Sequence, residues 1–209
     1  MKIVFKDVSK KFKNAYILND VNIEFNEGKI YGLIGRNGSG KSVLLKMLCG
    51  FYLPTSGSIY YDNIDIKKSG IFMPDTRALI EKPNFLPHLT GFENLRVLAK
   101  IQNKINDDDI INALEMVNLK DNINKKYCEY SLGMKQKLGI AQVLMENPKV
   151  MIFDEPFNGI EEETVKKIRK IILQEKNNGK IIVVASHMKD DIEQLADIVY
   201  KVDGGQVIV

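Results

Sequence analysis

The chain has 209 residues, 44% of them apolar and 27% charged, a length and balance that fit one large α/β domain with a sizeable core and exclude wholesale disorder. Its 30 basic and 27 acidic residues leave a net charge of +3 spread along the chain, so charge gives no argument for a nucleic-acid partner. The longest apolar runs, at 30–34, 150–153 and 181–185, fall far short of the roughly 18 residues that cross a bilayer, and the first residues lack the apolar segment of a secretory signal, so cytoplasmic residence is expected.

Residues 3–8 and 21–25 alternate apolar and polar side chains and read as antiparallel strands. Residues 29–35 form a continuous apolar run ending in glycine, as a buried strand feeding a loop would. A helix follows over 41–49 and stops at Gly50, a glycine C-cap. Residues 54–57 read as a turn, and 58–61 and 70–73 as short strands. From 90 to about 146 the pattern turns helical: Thr90 and Glu93 make a capping box, and Asp107, Asp108 and Asp109 put acid into another first turn. An α/β stretch closes the chain, with strands at 150–154 and 181–185, helices at 161–177 and 188–196, and strands near 199–202 and 207–209. Three wholly apolar strands separated by helices require a parallel sheet covered on both faces. Cys49 and Cys128 have neither metal-type spacing nor histidine partners and read as free thiols.

The segment Gly35-Arg36-Asn37-Gly38-Ser39-Gly40-Lys41-Ser42 matches the phosphate-binding loop G-x-x-x-x-G-K-[ST], placed between a strand and a helix. Its glycines let backbone N–H groups converge at a helix N-terminus, where the helix dipole also favours an anion. Lys41 then reaches the β and γ phosphates of ATP, and the Ser42 hydroxyl can ligate Mg²⁺. The strand at 150–154 ends in Asp154-Glu155 and is expected beside the strand at 29–35. There Asp154 would hold the Mg²⁺ shell and Glu155 would accept the proton of the attacking water.

Tyr130-Ser131-Leu132-Gly133-Met134-Lys135-Gln136 is similar to the LSGGQ signature of ATP-binding cassette (ABC) proteins, and Tyr130 stands 24 positions ahead of Asp154, the usual family interval. The resemblance covers essentially the whole chain. It implies that Ser131 and Gly133 offer hydroxyl and N–H donors to a γ-phosphate held by a second subunit. It assigns His187 to the switch histidine, residues 158–161 to the D-loop, and Phe12 to the aromatic that stacks on adenine, with Tyr16 as a second candidate. The Q-loop position falls on Glu81, a carboxylate that can still ligate magnesium. Departures from the family pattern are Glu81 for glutamine, Leu132 for the first signature glycine, Met134 for its glutamine and Glu161 for the D-loop aspartate.

The fold implied is α/β, a P-loop NTPase parallel-sheet core with an antiparallel β subdomain and an inserted α-helical subdomain. Residues 1–209 make a single ABC ATP-binding domain, with 1–81 and 147–209 as core and 82–146 as the helical subdomain containing the signature. The function implied is ATP hydrolysis by a subunit that powers a separate transmembrane permease. It would work as a C2 dimer, by analogy a homodimer, on the inner face of the membrane with no nucleic acid. The Q-loop, YSLGMKQ and DEPFNG segments resemble the exporter branch linked to bacitracin and lantibiotic resistance. Two other readings are a soluble ABC ATPase acting on nucleic acid or ribosomes and a regulatory subunit with little turnover. The first usually has two cassettes or a long coiled coil, whereas the insertion here lacks sustained heptads; Glu155 argues against the second.

Overall fold

The computed structural model describes residues 1–69, 73 and 75–208. Strands β1 (Lys2–Phe12) and β2 (Ala15–Asn26) form a long hairpin; with β4 (Ser56–Tyr61) and β5 (Ile64–Asp65) they make an antiparallel sheet ordered β2-β1-β4-β5. The hairpin strands run further than their alternation predicts. Register shifts lie between Phe5 and Val8 and on towards Lys11, with Asp7 at φ 52°, and such bulges break the period-two pattern without ending the strand.

The second sheet has six strands among the described residues: β3 (Lys29–Ile34), β6 (Thr76–Leu79), β7 (Val150–Asp154), β8 (Ile181–Ala185), β9 (Ile198–Asp203) and β10 (Gln206–Ile208). Its order is β10-β9-β3-β8-β7-β6, parallel except for the β9–β10 pair. The strand that ends in Asp154 is therefore not beside β3, as the sequence suggested: β8 lies between them. All five residues of β8 are fully buried apolar side chains, and a strand without a polar face belongs in the middle of a covered sheet. Strand β6 has no buried-strand pattern in the sequence, since its first two residues, Thr76 and Arg77, are polar. The expected strand at 70–73 lies outside the described residues apart from Met73, and Val209 likewise.

Helices α1 (Lys41–Leu48), α2 (Ile66–Ser69), α3 (Gly91–Gln102), α4 (Asp107–Met116), α5 (Leu132–Leu144), α6 (Glu162–Asn177) and α7 (Lys189–Glu193) complete the described elements, with 3-10 turns at Lys120–Asn122 and Tyr127–Glu129. The Thr90–Glu93 capping box forms, and Asn106 and Asp109 close another ahead of α4. The helix expected over 188–196 is shorter as α7, its last turn tightening into N–H···O bonds from Gln194 and Leu195.

The parallel sheet separates two cores. Ile30, Met151, Phe153, Ile182 and Val184 face α3 to α6, while Tyr31, Leu33, Val150, Ile152, Ile181 and Val183 face α1 and the antiparallel sheet. Phe25, Tyr31 and Tyr200 join the two sheets: Tyr31 and Tyr200 stack at 5.8 Å, and Phe25 sits edge-on to Tyr31 at 4.9 Å. The Asn26 N–H donates to the Tyr31 hydroxyl at 2.6 Å, and the Tyr200 hydroxyl donates to Glu24 O at 2.8 Å. Tyr31→Phe takes the acceptor from Asn26 within this cluster, a loss on the order of 1–3 kcal/mol. The thermal midpoint should fall by about 2–4 °C for each kcal/mol in a chain of this size; calorimetry showing an unchanged midpoint would contradict that link between the sheets.

Candidate functional site

The loop between β3 and α1 carries Gly35 to Gly40, and the helix opens on Lys41. Gly40 stands at φ 113°, and a Cβ there would lie 2.9 Å from Ile17 O, so neither the conformation nor the space admits a side chain. No side chain caps α1, which leaves its first-turn N–H groups to an anion at the positive end of the helix dipole. The Ser39 hydroxyl is buried without a hydrogen-bond partner. Lys41 is 6% exposed, its ammonium donating to Gly35 O at 2.6 Å and Arg36 O at 3.2 Å. A buried ammonium whose hydrogen bonds go to carbonyl oxygens is open to a stronger anionic partner, and a polyphosphate would supply one.

These groups open onto a cleft of about 510 Å³ that also receives Phe12, Ile17, Arg36, Asn37, Gly38, Ser42, Val43, Asp154 and Glu155. Ser42, in the first turn of α1, donates to Asp154 Oδ2 at 3.1 Å, although β3, which leads into α1, is not next to β7. Gly35 and His187 line an adjoining depression, and Ser39 lines another with Tyr16. Phe12 is half-exposed at the cleft and edge-on to Tyr52 at 5.2 Å, with the Lys10 ammonium 5.0 Å from its ring centroid. Tyr16 is more exposed and lies outside the main cleft.

Glu155 has φ 50°, a left-handed backbone uncommon for glutamate. Its N–H donates to Ala185 O at 2.8 Å, and the Gln136 side chain donates to its carbonyl at 2.9 Å. The Glu155 carboxylate accepts from the His187 N–H at 2.9 Å, and His187 Nδ1 is 2.8 Å away. Sequence reasoning missed Ile17, Arg36, Val43 and Gln136. The last could have been suspected from a glutamine at a buried position of α5, where an amide needs partners.

The structure does not bring Ser131, Gly133 or Glu81 into this cleft. Ser131 is the N-cap of α5, accepting the Met134 N–H at 3.2 Å. Gly133 packs so close to residue 159 that a Cβ would sit 2.2 Å from Gly159 O. Glu81, at φ 64°, is paired with Lys46 of α1 at 2.5 Å instead of with Ser42 and Asp154.

The Ser42 hydroxyl and the Asp154 carboxylate are hard oxygen donors, and among the described residues no cluster of three or more His, Cys, Asp or Glu could hold a metal by itself. That donor set fits Mg²⁺, which takes one or two protein oxygens and completes its shell with substrate phosphates and water.

Burial pushes the Asp154 carboxyl above the usual aspartate range; the Ser42 hydrogen bond pulls it down and the neighbouring Glu155 pushes it up. Above that raised value the native state holds a charge that the unfolded chain carries more cheaply, so ionised Asp154 lowers stability. The penalty fades as pH falls through the raised value towards the ordinary pKa of about 3.9. Asp154→Asn should therefore raise the thermal midpoint of the nucleotide-free, metal-free protein at neutral pH. The gain should shrink as the pH approaches about 4, and a gain independent of pH would remove the carboxyl as its source.

The family model for "ABC transporter" matches residues 18–158. The bacitracin transport ATP-binding protein BcrA of Enterococcus faecalis is 36% identical over 210 residues, covering 97% of this chain and 67% of the relative. The lantibiotic transport ATP-binding protein SrtF of Streptococcus pyogenes is 35% identical over 210 residues, covering 98% and 88%. Among solved structures, a dimeric ATP-binding cassette in a post-hydrolysis state bound to ADP and Pi matches with a TM-score of 0.89 at 25% identity, over 99% of this chain and 97% of that one.

Proposed function

The chain belongs to the ABC transporter family as an ATP-binding subunit, and on that premise we propose how its residues share the work and what that work serves. The observation that carries the reading is the 3.1 Å contact between Ser42 and Asp154 in the cleft that holds Lys41 and Glu155. Phosphate charge, metal ligands and a base then converge on one point.

In this reading Gly35, Asn37, Gly38, Ser39 and Gly40 wrap backbone N–H groups around the ATP phosphates, and Lys41 exchanges its loop carbonyls for phosphate oxygens. Phe12 offers its face to the adenine. Ser42 and Asp154 would hold Mg²⁺, which when bound would neutralise charge on the phosphates, and Glu81 would be a further ligand if released from Lys46. Glu155 takes the proton from the attacking water, and His187, at its carboxylate, orients that water or the γ-phosphate. Residues 82–146 act as the helical subdomain against a core of 1–81 and 147–209.

Ser131 and Gly133 stand outside their own cleft, which supports a role on the nucleotide of a second copy, with two composite sites in a C2 dimer. No described helix is long and apolar enough to cross a membrane. As an ATP-binding subunit the chain would sit at the inner face of the membrane by docking on a separate permease. The likeness to BcrA and SrtF favours export of a peptide antibiotic or another amphipathic compound.

Glu155→Gln keeps the size and hydrogen bonding of the base but cannot take the proton, so ATP hydrolysis should fall by about 10²-fold or more with nucleotide binding retained. A rate equal to the parent's would remove Glu155 as the base.

Ser131→Arg and Lys41→Ala should each abolish hydrolysis, the first without harming ATP binding by the monomer. Mixed together, they form dimers with one intact composite site, and about a quarter of the parental activity should return if the sites act independently. A mixture as inactive as either variant alone would count against independent shared sites.

A further inference from the structure

The two oxygens of the Glu155 carboxylate are held from different directions. Oε1 faces the backbone N–H and ring of His187, as described above. Oε2 accepts from the hydroxyl of Ser186 at 3.3 Å. Ser186 is 1% exposed, and its Oγ also lies 3.2 Å from Asp191 Oδ2 and accepts the Met188 N–H at 3.0 Å. The last bond alone would make Ser186 a turn-former ahead of α7. The contact with Glu155 exceeds what a turn requires.

A hydroxyl has one proton to give, so Ser186 serves one carboxylate at a time. An uncompensated Asp191 would compete strongly for that proton. Arg169, on α6, meets its charge: the guanidinium donates to Asp191 Oδ1 at 2.5 Å and to Gln194 Oε1 at 2.6 Å. The same guanidinium carbon lies 5.2 Å from the ring centroid of Phe157, two residues beyond Glu155 in the turn from β7 to α6. One cation thus braces the turn that carries Glu155 and the helix that carries Asp191. With Asp191 paired, the Ser186 proton is free to point at Glu155.

We propose that Ser186 is a positioning residue for Glu155, anchored by the Arg169–Asp191 pair, so that the carboxylate is aimed from α6 and α7 as well as from the nucleotide cleft. The Glu155 backbone is already fixed by Ala185 and Gln136; Ser186 and His187 fix the remaining side-chain rotation. The proposal rests on the reading of Glu155 as the base.

The test is steady-state ATP hydrolysis by Ser186→Ala, Ser186→Thr and Arg169→Lys, each made in the parent and in the Glu155→Gln background. In the parent, Ser186→Ala should lower kcat by about tenfold or more with KM for ATP little changed, since losing the aim of a reacting group costs up to about 10²-fold. Ser186→Thr retains the hydroxyl and should restore most of the rate. Arg169→Lys keeps the charge without the two-pronged grip and should lose a smaller factor in kcat. In the Glu155→Gln background, Ser186→Ala should cost nothing further. An unchanged kcat for Ser186→Ala in the parent, or the same loss in both backgrounds, would overturn the proposal while leaving Glu155 as the base. A parental rate in Glu155→Gln alone would overturn the base and this proposal together.

Discussion

The negative charge of a bound nucleotide has to be met by the loop between β3 and α1, and in the proposed reading a metal and a base must reach the same point, a demand that the fold answers. Ser42, in the first turn of α1 after β3, and Asp154, at the end of β7, stand 3.1 Å apart although β8 separates the two strands. The gap is closed because α1 begins immediately after the loop and directs Ser42 across the C-terminal edge of the sheet towards β7. The turns that follow β3, β7 and β8 all open at that edge, as expected of a parallel sheet with its ligand site beyond the strand ends. Glu155 and His187 arrive there on the turns after β7 and β8.

Assembling such a site in a partly buried place costs stability. Lys41 is a buried ammonium fed by carbonyl oxygens, Asp154 is a carboxyl pushed towards its neutral form, and Glu155 occupies a left-handed backbone conformation. Groups of this kind persist where the surroundings over-determine them, and they cluster at functional sites. Here the surroundings are unusually firm: β8 is buried at every position, and the Gln136 amide holds the Glu155 carbonyl from α5. That bond ties Glu155, the proposed base, to the helix whose N-cap is Ser131.

Much of this was legible in the sequence because it is written locally. The loop glycines, the wholly apolar strands and the Thr90–Glu93 box each depend on neighbours within a few residues, and each forms where expected. Strand order was not legible, since β7 and β8 both begin with a run of buried apolar residues, and a wholly apolar strand marks an interior place in the sheet without saying which neighbour it takes. Strand β6 escaped because a polar Thr76-Arg77 gives no buried-strand pattern; the Arg77 side chain is instead drawn to Glu146 beyond α5. The Arg169–Asp191–Ser186 group escaped for a different reason: its members come from α6, α7 and the turn between β8 and α7, and each taken singly reads as an ordinary surface or capping residue.

The positions that depart from the family pattern have distinct surroundings in this chain. Glu81 is taken up by Lys46, and Glu161 by Lys137, at 2.5 and 3.0 Å. The exposed Glu81 pair is worth little, so a new partner could displace it at small cost, whereas Lys137 is 6% exposed and would lose the charge partner of a buried ammonium. Leu132 differs, because it is 63% exposed and has no polar partner to exchange. Its side chain lies against residue 159, where a Cβ would come within 3.3 Å of Leu132 Cδ2, so it crowds the turn between β7 and α6. A leucine in place of glycine next to Gly133 adds apolar surface where the proposed composite site would bring two copies together. At that point the favourable burial of a side chain opposes the space that a close backbone approach requires.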